Sequence, residues 1–225
     1  FRDRIRQNSK TATDVNQLRG SIMSLCDQLR DDELIRVGIK LEDKADGAAV
    51  WKLDNAKELI KQREEKIAQA VAKEKAKLEG KVKDVQRILG KYKLALATQP
   101  LLEKYATFDA AGVPKTTIAG EAVASDALAA VIADKAKNAD VYQSGVEALF
   151  SKYSAFNAEF APTIDQEGQE VSKSKASAEK KAAGARKKDF DDLTTKATAA
   201  NKTQIEYVRQ LEQDAAELQA KIDAM

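Results

Sequence analysis

Residues 54–96 read DNAKELIKQREEKIAQAVAKEKAKLEGKVKDVQRILGKYKLAL, and no proline follows until Pro100. Asn55 and Glu58 have capping-box spacing, so a helix is expected to open here. Ile60, Ile67, Val71, Leu78, Val82, Val85, Leu89, Tyr92 and Leu96 step by four, three or seven. That narrow apolar seam predicts one long helix packed as a helical hairpin or coiled coil. Between Lys61 and Lys93 there are eleven Lys or Arg against five acids. Such an excess is read first as a solvated helix face.

The same period extends in both directions. Upstream, Ile5, Val15, Leu18, Ile22, Leu25, Leu29 and Leu34 outline two helices, with Thr13 or Asp14 as cap of the second and Gly38 as its stop. The pattern then changes to Ile39, Leu41, Val50, Trp51 and Leu53 on either side of the turn-rich stretch Asp43–Gly47, which predicts a β-hairpin. Downstream, a linker containing Pro114 leads to Ser125, the expected cap of a helix bearing Leu128, Val131, Ile132, Val141, Val146, Leu149 and Phe150. A second linker, 157–169, precedes a last helical stretch with a seam at Val208, Leu211, Ala215, Leu218 and Ile222. Gly184 and the Thr-rich residues 194–203 are the places where that stretch is expected to break. The fold class is therefore mainly α, made of long helices with one small β-hairpin near 39–53. The expected division is a module over 1–53 and a helical extension over 54–225.

The two linkers are copies. A shift of 48 residues superposes Lys104, Tyr105, Phe108, Pro114, Gly120 and Val123 on Lys152, Tyr153, Phe156, Pro162, Gly168 and Val171. The repeated Tyr-x-x-Phe, Pro, Gly module implies an extended element whose aromatics dock on helices, which is a packing role.

Composition narrows the function. The 225 residues carry 38 basic and 36 acidic side chains, so the whole-chain field does not favour nucleic acid. Any such contact must come from local patches. Cys26 is the single cysteine and histidine is absent, which leaves neither a disulfide nor a Cys/His zinc set. Cys26 lies beside Leu25 and Leu29 and reads as a small buried hydrophobe. No apolar run approaches the roughly 20 residues that cross a bilayer. A reducing, cytoplasmic setting follows, and the start at Phe1 inside an amphipathic pattern reads as a piece of a longer protein.

Residues Asp27-x-x-Arg30-Asp31, Gly38-Ile39-Lys40-Leu41-Glu42-Asp43 and Val50-Trp51-Lys52-Leu53 resemble the end of cysteinyl-tRNA synthetases. Phe1-Arg2-Asp3-x-x-Arg6 and the helix Leu59-x-x-x-Arg63-Glu64-Glu65-Lys66 are similar to the eukaryotic members. Tyr153-Ser154-x-Phe156, Pro162-Thr163-x-Asp165, Glu167-Gly168 and Ser172-Lys173 resemble the carboxy-terminal extension of those members, where Phe160 replaces a glycine and Asn157 an aspartate. These islands cover about a third of the chain. The family has one such segment; here it is duplicated, and the other copy keeps Gly112.

The resemblance implies the tRNA-facing part of a cysteine-tRNA ligase, with 1–53 as the end of its anticodon-binding module, 54–225 as its carboxy-terminal extension, and a catalytic domain that is missing here. That domain would hold the ATP, magnesium and zinc of the family, and this piece would bind no cofactor of its own. Val171-Ser172-Lys173-Ser174-Lys175 echoes an ATP-site loop without its leading Lys and without a strand-to-helix phosphate context. Cysteine tRNA and the missing catalytic domain are the implied partners, with no membrane; alternatively the seams over 78–96 and 208–222 make the extension a non-catalytic helical stalk for dimerisation or for docking another synthetase-associated protein. The candidate tRNA-contacting residues are Arg30, Asp31, Glu42, Asp43 and Trp51 in the first module. In the second basic run they are Lys173, Lys175, Lys180, Lys181, Arg186, Lys187 and Lys188. Trp51 has two readings, a base-stacking platform or a filler of the hairpin core.

Overall fold

A computed structural model describes residues 1–43 and 49–225; residues 44–48 and the side chains of Asp43 and Ala49 lie outside the described part. The expected turn at Asp43–Gly47 falls largely there. The chain is mainly α and divides into two compact units, Phe1–Ala76 and Lys77–Met225.

In the first unit, α1 (Arg2–Thr11) is followed by α2 (Val15–Gln28). Asp14 caps α2 by accepting the Gln17 N–H at 2.9 Å. Leu29–Glu33 then forms a π-helical turn in which the Leu34 N–H reaches Leu29 O, before the short α3 (Leu34–Arg36). The five-residue step from Leu29 to Leu34 leaves the α-helical stripe, and a five-residue turn restores it. Gly38 ends the run at φ +77°. An added Cβ there would stand 2.6 Å from Asp54 O, so only glycine fits. The Gly38 carbonyl accepts the Asp54 N–H at 2.8 Å, closing the base of a hairpin. Its strands are β1 (Ile39–Asp43) and β2 (Ala49–Leu53), with Leu41 opposite Trp51.

Helix α4 (Ala56–Leu102) starts where Asn55 accepts the Lys57 N–H at 3.0 Å. Its opening turns belong with the first unit: Leu59 is buried and Arg63 reaches Asp32 at 2.5 Å. The remainder of α4 belongs to the second unit and runs through Pro100. There the proline has no N–H to give to Leu96 O, and the helix ends two residues later at Leu102.

The second unit corrects the linker reading. Where linkers were expected, two further hairpins stand: β3 (Tyr105–Phe108) with β4 (Pro114–Thr117), and β5 (Tyr153–Phe156) with β6 (Pro162–Asp165). They join in one sheet of order β4-β3-β5-β6. The central pair is antiparallel with Thr107 opposite Ala155, two residues 48 apart. An antiparallel pair centred on equivalent residues carries a local twofold axis, and the bonds around it repeat. Asp109 and Asn157 donate to Val113 O and Ala161 O, both at 3.0 Å; Gly112 and Phe160 donate to Asp109 O and Asn157 O, both at 2.9 Å. Phe160 occupies the left-handed region at φ +61°, beside +70° for Gly112.

Helix α5 (Ser125–Lys137) follows the first hairpin, with Ala124 at the cap position and no side-chain cap bond. Ser125 is thus the first helical residue. The expected single helix breaks at Asn138 into α6 (Ala139–Gly145) and a π-helical turn, Val146–Phe150. Helix α7 (Lys173–Ala199) passes through Gly184 without a break, since an isolated glycine costs only about 1 kcal/mol. The break comes at 200–203, before α8 (Gln204–Asp223), which Thr203 and Glu206 start with a capping box.

Two cores result. Leu101, Leu102, Tyr105, Phe108, Leu149, Phe150 and Phe156 gather under the sheet. The seams of α4 and α8 meet in the other core, where Leu89, Tyr92 and Leu96 pack with Val141, Leu193 and Val208. Tyr92 donates to Asp192 at 2.5 Å and accepts from Lys196 at 2.9 Å, tying α4 to α7.

Candidate nucleic-acid interface

The first unit contains a cleft of about 670 Å³ between the π-helical turn, β1 and the opening turns of α4. Ile35, Leu41, Leu59 and Ile67 supply its apolar lining, and Arg30, Asp31, Lys40, Gln62, Arg63 and Lys66 its polar groups. Arg30 grips Asp31 through Nε at 2.9 Å and Nη2 at 3.0 Å, and reaches Asp27 at 2.8 Å. This grip holds the Asp31 carboxyl below its ordinary value, with Lys66 and Arg63 adding to the effect. Asp31 therefore stays an acceptor at neutral pH. The π-helical turn sets this arrangement by pushing Arg30 and Asp31 out of α-helical register, a distortion often found at functional sites.

Three of the four cations lining the cleft have a carboxylate in ion-pair contact: Asp27 and Asp31 beside Arg30, Asp32 beside Arg63, Glu42 beside Lys40. The cleft is thus closer to charge-balanced than to basic. Planar donors and acceptors over an apolar floor suit the edge and face of a nucleobase better than a phosphate.

On the hairpin, Glu42 accepts from Lys40 and from Lys52, each at 2.9 Å. The Lys40 bond first, then that of Lys52, draws its pKa down to about 2. A depressed carboxyl pKa contributes stability that is present above the ordinary glutamate value and is lost as pH falls through about 2. Carbon-detected NMR titration should give Glu42 a midpoint near 2, and Lys40→Met with Lys52→Met should return it toward an ordinary glutamate. A midpoint already ordinary in the parent chain would refute the triad. Asp43 ends β1, and its side chain lies outside the described part.

Trp51 is 62% exposed, so the core-filling reading is set aside. Leu53 and Val37 are exposed as well. The indole is free to stack. Cys26 is likewise exposed, against the expectation of a buried thiol.

The second basic run separates by face. Lys173, Lys180 and Lys187, seven apart on α7, form one stripe, and Lys181 and Lys188 form a neighbouring stripe about 100° round the helix. All five are exposed, and Lys180 pairs with Glu159 at 2.7 Å. Lys175 is exposed on another side of the helix. Arg186 departs from the expectation: it is 7% exposed, within 3.4 Å of Glu179, and cannot meet a phosphate. Residues 173–188 are far from Arg30 in sequence and belong to the other unit.

Sequence reasoning missed Gln62, Arg63 and Lys66 as cleft residues, although Arg63 and Lys66 lie in the helix that carried part of the resemblance. The four-residue steps from Leu59 to Arg63 and from Gln62 to Lys66, set against the hairpin just before them, are the signal that could have found them.

Over 122 residues, 51% of its length, the chain is 32% identical to a protein named cytoplasmic cysteine–tRNA ligase from Drosophila pseudoobscura pseudoobscura. The matched part is 15% of that protein. No protein-family model and no solved structure matches the chain. Among the described residues no helix is long and apolar enough to cross a membrane, and no group of His, Cys, Asp and Glu could hold a metal ion. A lone Cys26 without any histidine could not make up the zinc site that the resemblance assigns to the catalytic domain.

Proposed function

We propose that this chain is the tRNA-binding portion of a cytoplasmic protein of the cysteine-tRNA ligase type, and that its partner is cysteine tRNA. The observation that carries this reading is the cleft of Arg30, Asp31, Gln62, Arg63 and Lys66 over an apolar floor, on the same hairpin unit as an exposed Trp51. The similarity to a named cysteine–tRNA ligase supports it. In this reading an unpaired base enters the cleft, a second stacks on Trp51, and the lysine stripes of α7 neutralise phosphates without reading sequence. Activation of the amino acid, with ATP, magnesium and zinc, is assigned to a catalytic domain outside these residues, and the chain alone should be catalytically silent.

Fluorescence anisotropy with labelled tRNA at low salt tests the proposal. Trp51→Ala should weaken binding by about 1–3 kcal/mol, the contribution of one base stacked on an aromatic ring. A variant with Lys173, Lys181, Lys187 and Lys188 changed to Ala should weaken it further at low salt. Its salt dependence should flatten by about one unit for each phosphate that is no longer neutralised. Absence of binding at micromolar protein in low salt would overturn the reading.

A further inference from the structure

We propose that the duplicated hairpin is a self-pairing module, and that two copies of this chain exchange their second repeats through a hinge at Asn138 to form a swapped dimer. Such exchange is independent of the RNA reading.

The sheet offers a self-matched edge. Strand β3 pairs with β5 through equivalent residues, Thr107 and Ala155, so the edge that β3 presents is complementary to a copy of itself. Any β5 in solution presents the same edge. A β5 from a second molecule would restore the pairing and the ring packing of Phe108 on Phe150 and Phe156.

The connection between the repeats supplies the hinge. Helices α5 and α6 are separated at Asn138, whose backbone sits at φ −123° and ψ 39°. The matching position 48 residues on is Arg186, inside the unbroken helix α7. The repeat therefore has a straight helix available at this point. If 125–145 straightened, the joint would be about 30 Å long. It would carry β5 away from its own β3 and leave both edges open. Unpaired strand edges of this kind are where chains exchange.

A latch holds the break closed. Asn138 is 2% exposed; its Nδ2 donates to Asp134 O at 3.2 Å and to Asp134 Oδ1 at 3.0 Å. Arg209 on α8 donates to Asn138 Oδ1 at 2.9 Å, and the Tyr142 hydroxyl donates to Asp134. The Asn138–Asp134 pair, four residues apart, fits a straight helix as well, but the Tyr142–Asp134 and Arg209–Asn138 bonds need the bend, whereas the sheet pairing recurs in the exchanged form. Removing the latch therefore shifts the balance toward exchange.

The full chain with Cys26→Ser, Thr107→Cys and Ala155→Cys tests this, because directly opposed strand positions lie within disulfide reach. After refolding at low concentration the oxidised protein should run as an internally linked monomer. Refolding at high concentration should yield covalent dimers, and Asn138→Leu or Arg209→Ala should raise their share several-fold. Sedimentation velocity of cysteine-free Asn138→Leu gives a second readout that needs no disulfide, and it should show a dimer. Internal links alone at every concentration, with monomeric Asn138→Leu, would overturn the proposal. So would a dimer that forms without any link between 107 and 155 of different molecules.

Discussion

Phe108→Ala should lower the unfolding free energy by about 3–5 kcal/mol, seen as an early urea midpoint in circular dichroism. Phe108 is completely buried, with ring centroids 4.6 Å from Phe150, 5.8 Å from Phe156 and 6.5 Å from Tyr105. The tilted and edge-on angles are those that aromatic quadrupoles favour, so truncation removes these pairs as well as apolar area. The surroundings cannot close the hole easily. Strand β3 is fixed on both sides by β4 and β5, and Leu101 and Leu102 sit at the rigid end of a long helix. Phe156→Ala should cost a similar amount, and the double variant should cost less than the two together, because both rings line the same cavity. A loss below about 1 kcal/mol for Phe108→Ala would show that the cluster relaxes freely, against the usual behaviour of packed cores.

Much of this core was legible in the sequence. The 48-residue shift picked out Tyr105, Phe108, Tyr153 and Phe156 as aromatics that pack, and they do. The sheet they form was not legible. Tyr-Ala-Thr-Phe is four residues long and bulged, so it shows no two-residue alternation, and Phe160 hides a left-handed turn that a glycine would have announced. The expected break within 194–203 is present, but the one at Gly184 is absent and one at Asn138 was not foreseen. Gly184 is exposed and stays helical because one isolated glycine costs only about 1 kcal/mol, whereas at Asn138, where the helix breaks, the side chain is held by Asp134 and by Arg209, the latter 71 residues away.

The candidate site divides similarly. Arg30, Asp31 and Trp51 were named through the resemblance to cysteinyl-tRNA synthetases, whereas the cleft also needs Arg63 and Lys66 beside the π-helical turn. Arg186 shows the opposite failure. Counting charges in 173–188 treats every position alike, whereas the helical period sets Arg186 on a different side from the lysine stripes, and only the packed helices decide which side is covered.

Gly112→Ala should destabilise the chain by about 2–5 kcal/mol, and Phe150→Leu should recover part of that loss. Two costs combine at Gly112. Its φ of +70° penalises any Cβ by roughly 1–2 kcal/mol. The added carbon would also stand 2.6 Å from Phe150 Cδ2, 3.0 Å from Phe150 Cγ and 3.1 Å from Lys135 Nζ, and overpacking of this kind costs about 1–3 kcal/mol. Gly120 separates the two effects. It has φ +84° and nothing within 4 Å, so Gly120→Ala should show the backbone cost alone. The second repeat explains the rescue. There the residues matching Gly112 and Phe150 are Phe160 and Leu102, 48 positions on and back, so the large and small partners are reversed. Phe160 packs against the cluster that contains Leu102, and a side chain is accommodated in the left-handed turn. Phe150→Leu gives the first repeat the same allowance. In a double-mutant cycle the pair should couple favourably by about 1 kcal/mol or more. Additive effects, or equal losses for Gly112→Ala and Gly120→Ala, would mean that the approach to Phe150 does not set the requirement for glycine.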